Sequence, residues 1–305
     1  MLNKHYYSLN EYCRKTFGDK VYRLSLNAGC TCPNRDGSLS FGGCAFCSEG
    51  GSGDFAASYD VSVKAQIREA KKRIWQKTDC NKFIAYFQAY TNTYGPIHHL
   101  RQVFTEAIEE PEIVALSIGT RSDCLSDEVL DLLAELSQRK PVWVELGLQT
   151  IHNKTLERMN THTTVEQFDS AVMALHNRGI QVITHVILGL PGETREMMLD
   201  TISHVASLPI AGIKLQLLHV LKNTKLAEMY EKEPFEIFTL EDYCDFVIDC
   251  IELLPPNMVI HRLTGDGPRA LLVAPLWSTD KKRVLNTIQK RFVERDTYQG
   301  RLFML

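Results

Sequence analysis

Apolar, β-rich runs alternate with amphipathic helical patterns six times along this chain, and that alternation confines it to a largely parallel sheet. The runs fall at 21–27, 82–88, 113–119, 142–148, 181–188 and 213–220. Most are near-continuously hydrophobic, as strands covered on both faces are. Helices are expected at 61–77, 97–109, 126–138, 165–178 and 194–206. In the first, Val63, Ile67, Ala70 and Ile74 share one face, with Lys64, Arg68, Lys71 and Lys72 elsewhere. Ser126 and Thr194 offer capping oxygens, with Glu128 and Glu196 in the first turns. Gly179 stands where a left-handed cap is wanted. Such a repeat builds a parallel α/β barrel or a doubly wound sheet. After 220 the pattern changes. A helix at 239–253, with Phe238, Tyr243, Phe246, Val247 and Ile251 as its buried stripe, ends at Pro255-Pro256. A short strand at 258–263 then precedes Gly265-Asp266-Gly267-Pro268.

The 305 residues, 44% hydrophobic and 23% charged, can bury a large core in one barrel or two smaller domains. A net charge of −3 excludes a global field that draws the chain onto nucleic acid. Residues 280–305 differ, with seven basic groups (Lys281, Lys282, Arg283, Lys290, Arg291, Arg295, Arg301) against three acidic ones. This tail either tracks phosphates or is a solvated helix face. No apolar stretch approaches the ~20 residues of a membrane span, and MLNKHYYSLNEYCRK lacks a signal-peptide core. Nine cysteines in such a chain suggest reduced thiols and a cytoplasmic location.

Three of these cysteines share one glycine-rich loop after the first strand, in the order Cys32-x11-Cys44-x2-Cys47. Loops at the C-terminal ends of barrel strands carry the chemistry of such folds. Three thiolates can hold an iron–sulfur cluster by three corners and leave one iron open. A zinc knuckle that adds Cys30 is the alternative, because zinc prefers four closed ligands. Phe46 lies between the paired cysteines, and the flanking GGC and GGSGDF let backbone amides approach a ligand closely. Cys124, Cys244 and Cys250 are expected in the core.

The loop and several strand ends resemble the radical S-adenosylmethionine (SAM) superfamily, in the branch that contains the catalytic subunit of Elongator. VELGLQTIHNKTLERMNTHTT (144–164) is similar to that branch's fourth-strand signature, and THVILGLPGET (184–194) to its fifth. TRSDCL (120–125) resembles its third-strand element, with Ser122 in place of proline, and LHVLKNTKLAEMY (218–230) the element after strand six. TCPNRDG and the overall length are most similar to the bacterial YtqA/YhcC group.

The resemblance implies a partial parallel (β/α)6 barrel at 21–265, an N-terminal extension at 1–20 and a basic C-terminal extension at 266–305. It implies a [4Fe–4S] cluster on Cys32, Cys44 and Cys47, with Cys30 a bystander, and an open iron that binds SAM. Phe46, Gln88, Glu145, Gln149, Leu188 and Gly189 would contact SAM. Gln88 and Glu145 have a second reading, as a polar layer inside the barrel. Arg121, Asp123, His185, His219 and Arg262, with His261, are candidate substrate contacts, although Arg121 and Asp123 read equally well as a structural ion pair.

The expected substrate is the wobble uridine of tRNA, modified at carbon 5, for example by conversion of 5-carboxymethylaminomethyl-uridine to 5-aminomethyl-uridine. Forty residues follow 265, where Elongator's subunit carries an acetyltransferase domain, so no acetyl-CoA-dependent step is expected. The basic tail and helix 61–77 would grip phosphates, and Tyr90, Tyr94, Trp277 and Tyr298 would stack an unpaired base. Flavodoxin or ferredoxin would supply the electron. The rival readings are a radical SAM enzyme for a small molecule, such as a tetrapyrrole precursor, and a non-catalytic zinc-dependent RNA-binding module.

Overall fold

The computed structural model describes residues 5–51, 56, 60–265 and 267–304. Residues 52–55 of the GGSGDF segment, and Asp266, lie outside them. The strands are β1 (Tyr22–Leu26), β2 (Phe83–Phe87), β3 (Ile113–Thr120), β4 (Val142–Gln149), β5 (Gln181–Leu188), β6 (Gly212–Leu217), β7 (Val220–Leu221), β8 (Val259–Arg262) and β9 (Leu272–Ala274). The helices are α1 (Leu9–Phe17), α2 (Val63–Trp75), α3 (Ile97–Glu109), α4 (Asp127–Ser137), α5 (Asn153–Arg158), α6 (Val165–His176), α7 (Arg195–Ser207), α8 (Lys225–Lys232), α9 (Leu240–Glu252) and α10 (Lys281–Glu294).

Seven strands form one sheet in the order β1-β2-β3-β4-β5-β6-β8, every neighbour parallel. The late strand β8 therefore extends the six expected strands to seven. Helix starts follow the capping chemistry: Ser62, Ser126, Thr164, Thr194, Thr224 and Thr239 each accept a backbone N–H. Each such cap contributes roughly 1 kcal/mol. Gly179 takes φ +71°, as its place after α6 requires.

Alternation along the strands divides the interior. Phe83, Ala85 and Phe87 of β2 pack outward among the helices with Phe104 and Leu100. Ile84 joins Cys13, Ala115, Trp143 and Ile183 in a separate cluster, closed by Leu9, Tyr12 and Phe17 of α1. The N-terminal segment thus supplies an apolar plug for the barrel rather than a free extension. Above the plug the inward residues turn polar.

Two further expectations change. Lys71 does not lie on an open face: it is buried and paired with Glu112. Cys124 is half-buried in the loop after β3 rather than in the core, whereas Cys244 and Cys250 are buried on α9. The basic tail is partly structural. Val284, Ile288 and Phe292 of α10 are buried in the main core, and Arg295 binds Asp249 at 2.7 Å and Glu252 at 3.0 Å on α9.

Candidate active site

A cavity of about 680 Å³ occupies the barrel above the plug, within the size range of small-molecule sites. Cys32, Cys44 and Cys47 all open into it. Cys30 does not line it; its Sγ would lie 3.5 Å from a Cβ built at Gly95, which places it among packed apolar neighbours. Burial pushes the Cys30 thiol up to about 11.

The cysteine loop is held from two sides. Ala45 N–H donates to Met159 O at 2.8 Å, and Ala45 O accepts from Leu226 N–H at 2.9 Å. Asn160 Nδ2 donates to Gly43 O at 2.8 Å, and Asn34 Nδ2 to Asn160 O at 2.6 Å. The 144–164 motif therefore braces the loop with its second half. Arg35 adds donors to Cys47 O and Ser48 O from within the loop.

The Cys44 thiol is pushed well up, first by its hydrogen bond with Cys47 and then by burial, while Arg121 and Asn34 pull the other way. The two sulfurs are half-buried and hydrogen-bonded to each other, a pairing that a bound cation would replace. Asn34 Nδ2, 3.5 Å from Cys44 Sγ, and Arg121 are placed to favour thiolate once that cation is present. Three thiols from one braced loop, opening into one cavity, fit a cluster with an exposed iron. A closed zinc site would need Cys30, which faces elsewhere.

Gln88 and Gln149 line the cavity at the ends of β2 and β4. The register shifts between Gly147 and Gln149, and Gln149 takes a left-handed φ of +70°. Its Nε2 then lies 2.7 Å from where a Cβ at Gly147 would stand, so a larger residue there would push the amide aside. Phe46, Arg121, His185, His219 and Arg262 also line the cavity. Asp123, Leu188 and Gly189 do not. Asp123 sits behind Arg121 in a two-pronged pair at 2.9 and 2.8 Å, the ion pair that the sequence also allowed. Leu188 is buried in the core and its carbonyl accepts from Leu218 N–H. Gly189 packs against Phe238, and its N–H meets Met198 Sδ.

Glu145 borders the cavity, but its carboxylate is engaged by Ser117 Oγ at 2.7 Å, by His185 Nε2 at 2.8 Å and by the ammonium of Lys214. The polar-layer reading of Glu145 is the one this geometry displays. Burial alone would raise the carboxyl; Lys214, His185 and Arg23 outweigh it and hold it well below the usual range. Burial and Lys214 lower His185 to about 4 against the pull of Glu145, so its ring is neutral and donates through Nε2. Lys214 is itself pushed down by burial, with Arg23 and Arg262 adding to the push and Glu145 opposing it. An ionised Glu145 in direct contact with an ammonium is the state that this packing supports.

Arg23, Tyr86, Ser117, Lys214 and Gln216 complete this layer and were not singled out from sequence. The available signal was a cation inside an apolar run: Arg23 in VYRLSLN and Lys214 in IKLQLLHV, since a charge on a covered strand needs a buried partner.

A seven-stranded curled sheet with three cysteines at the mouth of its cavity defines a radical SAM barrel. The chain belongs to the radical SAM superfamily: the superfamily model matches residues 29–205, and the Radical_SAM C-terminal domain model matches 210–294. The second match runs through the basic extension. YtqA of Bacillus subtilis is 45% identical over 300 residues, 98% of this chain and 93% of that one. The tRNA uridine(34) acetyltransferase of Methanocaldococcus jannaschii is 26% identical over 189 residues, 61% of this chain but 34% of that protein. The solved structure of archaeal Methanocaldococcus infernus Elp3 shares the fold, with a TM-score of 0.67 at 18% identity, over 92% of this chain and 64% of that chain.

The chain is therefore a radical SAM enzyme, of a family that uses a [4Fe–4S] cluster and SAM. This overturns the non-catalytic zinc module. Among the described residues no helix is long and apolar enough to cross a membrane.

Proposed function

We propose that this enzyme modifies the carbon-5 side chain of the wobble uridine in tRNA. The carrying observation is a single cavity that brings three loop thiols, two strand-end amides and a cationic floor to one space. A distant relative named as a tRNA uridine(34) acetyltransferase supports the choice of RNA.

Cys32, Cys44 and Cys47 hold the cluster in this reading. The cluster and SAM, when bound, supply a 5′-deoxyadenosyl radical that removes a hydrogen atom from substrate. The chain's own residues bind and orient. Gln88 and Gln149 present amides to polar groups of SAM, and Phe46 covers the ligand beside the paired cysteines. Arg121, locked by Asp123 and by Thr161 O at 2.9 Å, keeps a fixed positive charge beside the sulfurs. His185 and Glu145 hold the wall below. The specific conversion proposed is 5-carboxymethylaminomethyl-uridine to 5-aminomethyl-uridine, in the cytoplasm, with flavodoxin or ferredoxin as electron donor.

At the surface, Lys64, Arg68, Lys282 and Arg283 are exposed and available to phosphates. Tyr298 is exposed and Tyr90 lines the cavity, so both remain stacking candidates. Trp277 is less suited, since its indole donates to Phe238 O and its ring packs on Tyr243. The test is the wobble nucleoside profile of tRNA from a strain that lacks the gene. The carboxymethylaminomethyl form should accumulate and plasmid-borne enzyme should clear it; an unchanged profile refutes the substrate.

A further inference from the structure

We propose that Asn34 sets the reduction potential of the cluster through a hydrogen bond to the Cys44 sulfur. This rests on the reading above that Cys44 holds the cluster. It makes Asn34 a positioning residue for charge, outside the space where SAM and substrate meet.

Asn34 is fully buried two residues after Cys32, and it does not line the cavity. Its side-chain nitrogen makes two bonds, to Asn160 O at 2.6 Å and to Cys44 Sγ at 3.5 Å. The first bond fixes which end of the amide is nitrogen, because a backbone carbonyl only accepts. The second N–H is thereby turned to the sulfur. Donor and sulfur are carried by one frame. Gly43 N–H donates to Asn34 O at 2.8 Å, Gly43 O accepts from Asn160 Nδ2 at 2.8 Å, and Ala45 N–H donates to Met159 O. The backbone on both sides of Cys44 is therefore tied to the same brace as the amide. Rotation of the cysteine side chain is the adjustment left to the sulfur.

The amide is kept in spite of a mismatch. Asn34 Oδ1 is buried with no hydrogen-bond partner among the described residues. An unsatisfied buried acceptor is destabilising, and a leucine of similar size would remove it. The loop is already braced through Gly43 and Ala45, so the N–H turned to sulfur is what distinguishes asparagine at this position.

A thiolate on iron gains negative charge when the cluster takes up one electron from its donor. An N–H dipole aimed at that sulfur favours the more negative state and raises the potential. Asn34 is fully enclosed, so water does not compete for its N–H. The dipole stands in place before the electron arrives, and no proton moves with it.

The potential is read by redox titration of the reconstituted protein without SAM, followed by electron paramagnetic resonance. In Asn34→Leu the ratio of reduced to oxidised cluster at a fixed potential is expected to fall at least threefold, about 30 mV for a one-electron couple. Asn160→Gly is the control for a purely bracing role. It suits the left-handed backbone there (φ +54°) and keeps the carbonyl that orients Asn34, but it removes the bond to Gly43 O. Its potential should match the native one. An unchanged potential in Asn34→Leu, or an equal fall in Asn160→Gly, overturns the role of Asn34.

A second measurement needs no variant. In native protein labelled with nitrogen-15 at its asparagine side-chain amides, the reduced cluster should show a hyperfine coupling to the label; its absence overturns the bond. Loss of the cluster in Cys44→Ala, together with an unchanged potential in Asn34→Leu, refutes the role of Asn34 alone. A cluster retained in full by Cys44→Ala refutes the ligand assignment on which that role rests.

Discussion

Arg23 on one edge strand of the sheet donates to His261 on the opposite edge strand, 3.2 Å away. Five strands lie between β1 and β8 in the sheet, so this contact exists only because the sheet curls until its edges meet. Arginine can only donate, which makes Nδ1 of His261 the acceptor and puts the ring proton on Nε2. Burial and Arg23 both hold His261 well below its usual range, in agreement with that neutral tautomer.

Gly212 keeps this contact possible. A Cβ there would stand 2.7 Å from His261 Cδ2 and Nε2 and 3.0 Å from the Val259 carbonyl oxygen. Backbone cannot yield as a side chain can. Gly212→Ala is expected to cost about 1–3 kcal/mol in urea denaturation. A histidine NMR spectrum should show the His261 resonance displaced.

Lys214→Met strands an ionised carboxylate in the barrel wall. The expected loss is about 3–5 kcal/mol. Adding Glu145→Gln should recover most of it, and the double-mutant cycle measures the coupling. Equal, additive losses would show that the two side chains do not act as a pair.

His185 sets an acid limit. Its folded value is about 4 against 6.5 in the open, so between these the unfolded chain takes a proton that the folded chain refuses. Stability then falls as pH drops from about 6.5 towards 4. The ring is 24% exposed on the cavity side, so the native protein should lose about 1–2 kcal/mol more than His185→Gln between pH 7 and 5. The Glu145 contribution, with its depressed value, is kept down to about pH 4.5 and is lost only below it. Denaturation at pH 7 and 5 checks the first statement, and a series continued below pH 4.5 checks the second.

The strands and most helices were legible because covered parallel strands are apolar throughout and the helix starts carry Ser or Thr caps. The cavity layer was less so. A lone lysine in IKLQLLHV reads as a surface flaw until Glu145, 69 residues earlier, is seen against it. Leu188 and Gly189 are expected to meet SAM through their backbone, since glycine permits close approach. Here the Leu188 carbonyl is consumed by Leu218, and Ile187 faces inward instead. The role of α1 was hidden because its apolar residues look like any short amphipathic helix. Only the curl of the sheet creates the hole that Leu9, Tyr12 and Phe17 help to fill.

The basic tail divides into a packed part and an exposed part. Arg295 ties α10 to α9 through Asp249 and Glu252, so Arg295→Ala should lower stability by about 1–3 kcal/mol. Lys282 and Arg283 are exposed. Reversing both to glutamate should leave stability unchanged, weaken tRNA binding and flatten its salt dependence. Gel-shift titrations at several salt concentrations separate the two.

Release of 5′-deoxyadenosine from SAM by anaerobically reconstituted, reduced protein tests the three-cysteine centre most directly. The native chain and Cys30→Ala should both be brown and release it, and Cys44→Ala should be colourless and release none. Undiminished release by Cys44→Ala, or its loss in Cys30→Ala, would contradict the assignment.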